Sequence, residues 1–237
     1  MPAALLAAAL CCGAGAAAAA SLQISPVSIR FAAEQRAAGI TLQNLGETTI
    51  YGQVRVYRWD QQDGEDVLTP TRDLLASPPI VKIAPQSDQS VRLVQATPGV
   101  GGAEQSYRVL IDEIAGSDNP AGKGVDIRLR YSVPVFMAAA GALTPEALVW
   151  QVLRKAGNWT LRIRNRGQRH AQIGSLSLTN QAGAQFQVGK GLFGYVLAGR
   201  EREWRLPVDP QADLSGPLSA SVVVNARPVA RYAVDPE

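Results

Sequence analysis

The 237-residue chain is poor in the side chains that carry most protein chemistry. It has two cysteines, Cys11 and Cys12, and a single histidine, His170. If the stretch holding the cysteines is removed, no thiol and no disulfide remain. That excludes Cys-ligated metals and Cys nucleophiles and leaves a His-based triad one candidate. Aromatics make up only 6% of the residues, and the four tryptophans (59, 150, 159 and 204) are scattered rather than alternating. Beyond residue 20 no window approaches eighteen uncharged apolar residues, so no stable membrane insertion is expected. What is present is 46% apolar, with a mean hydropathy near zero and a net charge of +3, as suits a folded chain and not a disordered one. At ~150 residues per domain the length allows one or two domains.

Residues 1–20 contain no charged side chain and, after Met1, only Ala, Leu, Cys, Gly and Pro. The run is interrupted by Gly13 and Gly15, and Ala18-Ala19-Ala20 precedes Ser21, which fits the small-residue rule for signal cleavage. An exported protein is therefore expected, with 1–20 as its signal peptide. No Lys or Arg precedes the apolar stretch, so a start further upstream is expected.

From Leu22 onward the pattern is short β-type runs broken by turn residues, with no helical period between them. Strands are expected at 22–31, 37–43, 50–59, 80–83, 89–94, 106–114 and 125–136. Residues 137–146 are small and include Gly141 and Pro145, which reads as a linker. A second strand-rich block fills 147–237. The fold expected is all-β, an antiparallel sandwich in 21–136 followed by a second β-sandwich domain. Charge is split unevenly: 21–136 holds 11 basic and 13 acidic residues, whereas 147–237 holds 12 and 6. The arginines of the second block are dispersed with few aromatics between them, so no nucleic-acid partner is expected. Solvated strand faces, or an acidic partner, account for them better.

The most informative segment is Val125-Asp126-Ile127-Arg128-Leu129-Arg130-Tyr131-Ser132-Val133-Pro134-Val135-Phe136. Every odd position from 125 to 135 is apolar, so one face of a strand here is a continuous apolar row. Pro134 cannot donate a ladder hydrogen bond, which places that end of the strand on an edge. An apolar edge strand is an aggregation hazard unless something pairs with it.

Its neighbours in order are Ser28-Ile29-Arg30-Phe31, Thr41-Leu42-Gln43-Asn44, Ser77-Pro78-Pro79-Ile80-Val81-Lys82-Ile83-Ala84-Pro85, Gln89-Ser90-Val91-Arg92-Leu93-Val94 and Tyr107-Arg108-Val109-Leu110-Ile111-Asp112-Glu113-Ile114. This succession resembles the periplasmic pilus-assembly chaperones of the chaperone–usher pathway, most of all the archaic, spore-coat-U-like branch. The second block is similar more loosely, through Asn165-Arg166-Gly167 and Gly194-Tyr195-Val196-Leu197-Ala198-Gly199. The resemblance implies two immunoglobulin-like sandwiches at an angle with a cleft between them. It implies a periplasmic, non-enzymatic chaperone that lends an incomplete pilin subunit its missing strand and passes it to an outer-membrane usher. The lent row would be Val125, Ile127, Leu129, Tyr131 and Val133. Arg30 matches the family's arginine that anchors the subunit's C-terminal carboxylate, a task a guanidinium fork suits. The family's second anchor is commonly a lysine in the donor strand; Pro134 stands there, and Arg92 is the next residue expected to serve.

No other pattern points to catalysis, a metal or a cofactor. His170 has no acidic residue within twenty positions and is expected at the surface. Asp112 and Glu113 are adjacent on a strand, so their side chains diverge. Asp60, Asp63, Glu65 and Asp66 surround Gly64 without the terminal bidentate Glu of a calcium loop, and read as a solvated hairpin. The alternatives are an exported structural or adhesin sandwich, or a carbohydrate-binding module.

Overall fold

The computed structural model describes residues 22–97, 102–115 and 128–236. All regular structure among them is strand. The first ten strands are β1 (Leu22–Ser25), β2 (Ile29–Phe31), β3 (Ala37–Asn44), β4 (Ile50–Gln62), β5 (Glu65–Pro70), β6 (Leu74–Ser77), β7 (Ile80–Ile83), β8 (Ser87–Gln95), β9 (Gln105–Ile114) and β10 (Arg130–Met137). They form a four-stranded sheet ordered β1-β3-β8-β6 and a second sheet ordered β2-β10-β9-β4-β5, with β7 also pairing β4. The alternation that predicts the strands also fills the space between these sheets. Val91 and Leu93 of β8 share one buried core with Tyr107, Val109 and Ile111 of β9, while the intervening Arg92 is exposed.

The second half contains β11 (Leu148–Lys155), β12 (Asn158–Asn165), β13 (Ala171–Thr179), β14 (Gln185–Gly189), β15 (Gly194–Val196), β16 (Glu201–Arg205), β17 (Leu218–Val224) and β18 (Arg227–Pro236). These join in one sheet path, β14-β13-β17-β18-β11-β12-β16, with β15 added to β13. The path wraps around a separate core that includes Trp150, Leu161, Ile163, Ile173 and Val222. This all-β, two-sandwich arrangement is the fold class expected from the sequence.

Three differences have local causes. The run 22–31 is two strands, because Pro26 interrupts it and β1 and β2 join different sheets. Strands β5 and β6 are absent from the expected set: five of β5's six residues are exposed, and β6 is only four residues long. The last strand of the first half starts at Arg130, with Val125, Ile127 and residues 1–20 outside the described residues.

Residues 138–147 connect the halves without a strand and lie against the second sandwich. Arg166 N donates to Ala147 O at 2.8 Å, and Asn165 Oδ1 accepts from Ala147 N at 3.1 Å. A Cβ on Gly167 would sit 2.0 Å from the Pro145 carbonyl oxygen, so only glycine permits this approach.

Candidate functional site: an open strand edge and the adjoining cleft

Strand β10 has β9 on one side along its whole length, but β2 on the other side only at residues 135–137. Over 130–134 no strand among the described residues pairs with that second side. Glu113 N donates to Leu129 O, which makes Leu129 a bonded partner of β9, and bonding alternates from there. The amides of Tyr131 and Val133 therefore serve β9, whereas those of Arg130 and Ser132 project from the open side. Ala138 N donating to Phe31 O obeys the same alternation further along. Pro134 occupies one of the outward positions, where its missing amide hydrogen costs no bond to β9.

The even-numbered side chains of β10 form the outer face of the sheet. Asp112 on β9 bonds both Arg55 (2.5 Å) and Arg130 there. Burial pushes the Asp112 carboxyl up, but the bonds from Arg130 and Arg55 outweigh it and hold it below the ordinary carboxylate range.

Toward its C-terminal end β10 enters a cleft of about 390 Å³ between the two sandwiches. Arg30 and Phe31 of β2 line it, with Phe136, the turn residues Arg169 and His170, and Arg227 of β18. Beside it Trp59, Phe136, Tyr195 and Leu197 form a small core shared by the two halves. The Trp59 and Tyr195 rings meet edge to face at 5.4 Å. Gln61 is buried among them: its Nε2 donates to Tyr195 O at 2.8 Å and its Oε1 accepts from Leu197 N at 2.9 Å. The Arg108 guanidinium lies 3.6 Å over the Trp59 ring, where burial pushes it below its usual range against the opposing charge of Asp66.

The acidic hairpin of β4 and β5 faces the basic second half. Arg200 bonds Asp60 at 2.5 Å, and Arg202 reaches Glu65 at 2.8 Å and the Gly64 carbonyl. Asp63, Glu65 and Asp66 are exposed, as expected of a solvated hairpin, but the contacts add what the sequence did not indicate, that Asp60 and Glu65 are acidic partners for the basic half within the same chain. Among the described residues no group of three or more His, Cys, Asp or Glu is placed to hold a metal. Burial raises the Asp60 carboxyl, but hydrogen bonds from Arg200 and the Gln61 amide hold it below its ordinary value. Carboxyls held low stabilise the native state fully above about pH 4 and lose that contribution as pH falls through their native values. Stability in urea is thus expected to fall on acidification below about pH 4, and less steeply in Arg200→Ala. A wild-type urea midpoint that does not move with pH would contradict this.

The structure treats the sequence-predicted residues unequally. Arg30 is exposed and lines the cleft. Arg92 is on β8, in the opposite sheet, facing outward between Gly39 and Ser77. The thickness of the sandwich, about 10 Å, separates the two sheets, so Arg92 is not brought to Arg30. Val133 is 4% exposed and packs in the core of its own sandwich, so in this structure it has no face to offer a partner. Tyr131 packs partly against that core and donates to Leu22 O at 3.1 Å; Leu129 is half-buried just before β10 begins. His170 is not at the surface but 5% exposed, its Nδ1 2.5 Å from Glu104 Oε1. Arg108, Arg169 and Arg227 carry no sequence signal beyond being arginines on or beside strands.

The family described as pili and flagellar-assembly chaperone, PapD N-terminal domain, matches residues 21–142. No curated protein matches the chain. Among solved structures, one similar chain is in the CsuC–CsuE chaperone–tip adhesion subunit pre-assembly complex from the archaic chaperone–usher Csu pili of Acinetobacter baumannii. It has a TM-score of 0.72 at 24% identity, covering 92% of this chain and 100% of that one. Another is in the Salmonella enterica SafA pilin complex with the SafB chaperone, with a TM-score of 0.61 at 15% identity, covering 90% and 95%. The Escherichia coli chaperone DraB has a TM-score of 0.60 at 15% identity, covering 92% and 97%.

Proposed function

The chain belongs to the pili and flagellar-assembly chaperone family, and on that premise we propose that it captures incomplete pilin subunits by strand addition. The observation that carries this reading is the open side of β10 over 130–134, beside a cleft lined by Arg30. A subunit's edge strand pairs with the outward groups of Arg130 and Ser132. The apolar row Val125, Ile127 and Leu129, with Tyr131 at its end, fills the groove left by the subunit's missing strand. Each such side chain contributes about 1.5–3 kcal/mol on burial, against about 0.5–1.5 kcal/mol for each ladder bond. Hydrophobic burial therefore dominates affinity, and the ladder fixes register. Arg30 receives the subunit's C-terminal carboxylate as a forked pair of charge-assisted bonds. Residues 1–20 direct export to the periplasm, and the loaded complex is delivered to an outer-membrane usher.

The test is co-expression with a pilin subunit from the same organism. A one-to-one complex is expected to co-purify from the periplasm. Ile127→Asp combined with Leu129→Asp is expected to abolish the complex, with the thermal midpoint measured alongside to separate lost capture from lost folding. Arg30→Ala is expected to reduce its yield severalfold. A stable complex with the double aspartate variant would overturn the strand-addition reading.

A further inference from the structure

Strand β10 is held from both sides only at 135–137, where β2 runs parallel to it. Over 130–134 its strand partner among the described residues is β9 alone. The N-terminal end of that stretch adjoins the lent row, and two side-chain ties meet there. On the inner side the Tyr131 hydroxyl donates to Leu22 O. On the outer face Arg130 stands directly across from Asp112 of β9, and its Nε donates to Asp112 Oδ1. The other carboxylate oxygen, Oδ2, accepts from Arg55 Nη2 of β4 at 2.5 Å. One carboxylate thus links three neighbouring strands, β4, β9 and β10. The Asp112 side chain is 13% exposed, against 38% for Arg55 and 63% for Arg130, so Asp112 is the fixed member and Arg130 the one it holds. The next bond toward the lent row, from Glu113 N to Leu129 O at 3.0 Å, starts from the residue beside it.

We infer that Asp112 is a positioning residue for subunit capture: by holding Arg130 it keeps the N-terminal end of β10 extended and in register before a subunit arrives. This inference rests on the strand-addition reading and names the side chain that prepares the strand for it. An edge already ordered does not have to be ordered on binding, so less of the interaction is spent on that step. The tie does not compete with the subunit. Arg130 is an even position and projects from the face opposite the odd-numbered apolar row, so the pair persists when a strand docks. Removing the carboxylate does more than delete two bonds. It leaves the Arg55 and Arg130 guanidiniums as like charges drawn to one spot on the sheet, which pushes β10 away from β9.

The test pairs residue-resolved amide hydrogen exchange with recovery of a co-expressed pilin subunit. In Asp112→Asn the Tyr131 and Val133 amides, which serve β9, are expected to exchange about threefold to tenfold faster than in wild type. Exchange in β3 and β8 is expected to stay as in wild type, and pilin recovery to fall about threefold or more. Arg130→Gln, at an exposed side chain, is expected to act in the same direction. Asp112→Glu keeps the charge and is expected to restore both readouts. Glu201→Gln removes ion pairs to Arg162 and Arg164 in the second sandwich and is expected to change neither. Wild-type exchange at Tyr131 and Val133 in Asp112→Asn overturns the inference, and so does faster exchange with undiminished capture. The strand-addition reading is judged apart from this by the Ile127→Asp and Leu129→Asp double variant: lost capture there keeps it, and retained capture removes both readings.

Discussion

Ser132→Pro is expected to remove pilin capture while leaving the fold intact. Ser132 is exposed in the middle of the open stretch of β10, and its amide points away from β9. Proline there deletes no ladder bond to β9. Pro134, two residues on, already occupies the equivalent outward position without disturbing the strand. The residue before it, Tyr131, is already extended, as a following proline requires. Toward a docking strand the effect is large for two reasons. One outward donor is lost, worth about 0.5–1.5 kcal/mol, and the ring projects into a gap where strands approach to about 4.8 Å. Recovery of a co-expressed pilin subunit is expected to fall to background, with the thermal midpoint close to wild type. Val133→Pro is the contrast, because that amide bonds β9 and the side chain is in the core, so it should destabilise the sandwich itself. Undiminished capture by Ser132→Pro would mean that subunits do not add along this edge.

Much of this edge is legible in the sequence, and the part that is not has a physical reason. The alternation of Tyr131, Val133 and Val135 marks a strand and the face it buries, and Pro134 marks an edge. Alternation cannot say where a strand's apolar row leaves its own core and becomes available to another chain. That depends on what the opposing sheet places across from it, here the Leu22 carbonyl that holds the Tyr131 hydroxyl. For this reason Val133 reads as a partner-facing residue in the sequence and is a core residue in the fold. The acidic run at 60–66 is incomplete in a similar way: Arg200, which pairs with Asp60 of β4, and Arg202, which pairs with Glu65 of β5, lie some 140 residues away in sequence. His170 fails the same test of locality, since its acid, Glu104, is 66 positions away. Arg92 illustrates the converse, a residue singled out by its motif whose sheet lies on the wrong side of the sandwich.

The cleft works only if both walls keep their spacing, and Phe136 is the side chain on which this depends most. It is 1% exposed and touches Trp59, Tyr195 and His170, so one ring joins β4, β10, β15 and the turn before β13. Phe136→Ala is expected to cost about 3–5 kcal/mol, the usual range for emptying a buried aromatic site. The loss falls on the contact between the sandwiches and not on either core, because Phe136 belongs to neither. Wild-type protein is therefore expected to unfold in one calorimetric transition and the variant in two, the first at a lower temperature. Capture should weaken as well, since Arg30 and the residues of the second sandwich that line the cleft with it would no longer be held in one arrangement. The polar ties at Asp60–Arg200 and Glu65–Arg202 are partly exposed and worth about 0–1 kcal/mol each, too little to replace the ring. A single transition with an unchanged midpoint in Phe136→Ala would place the coupling in those ion pairs and in Gln61 instead.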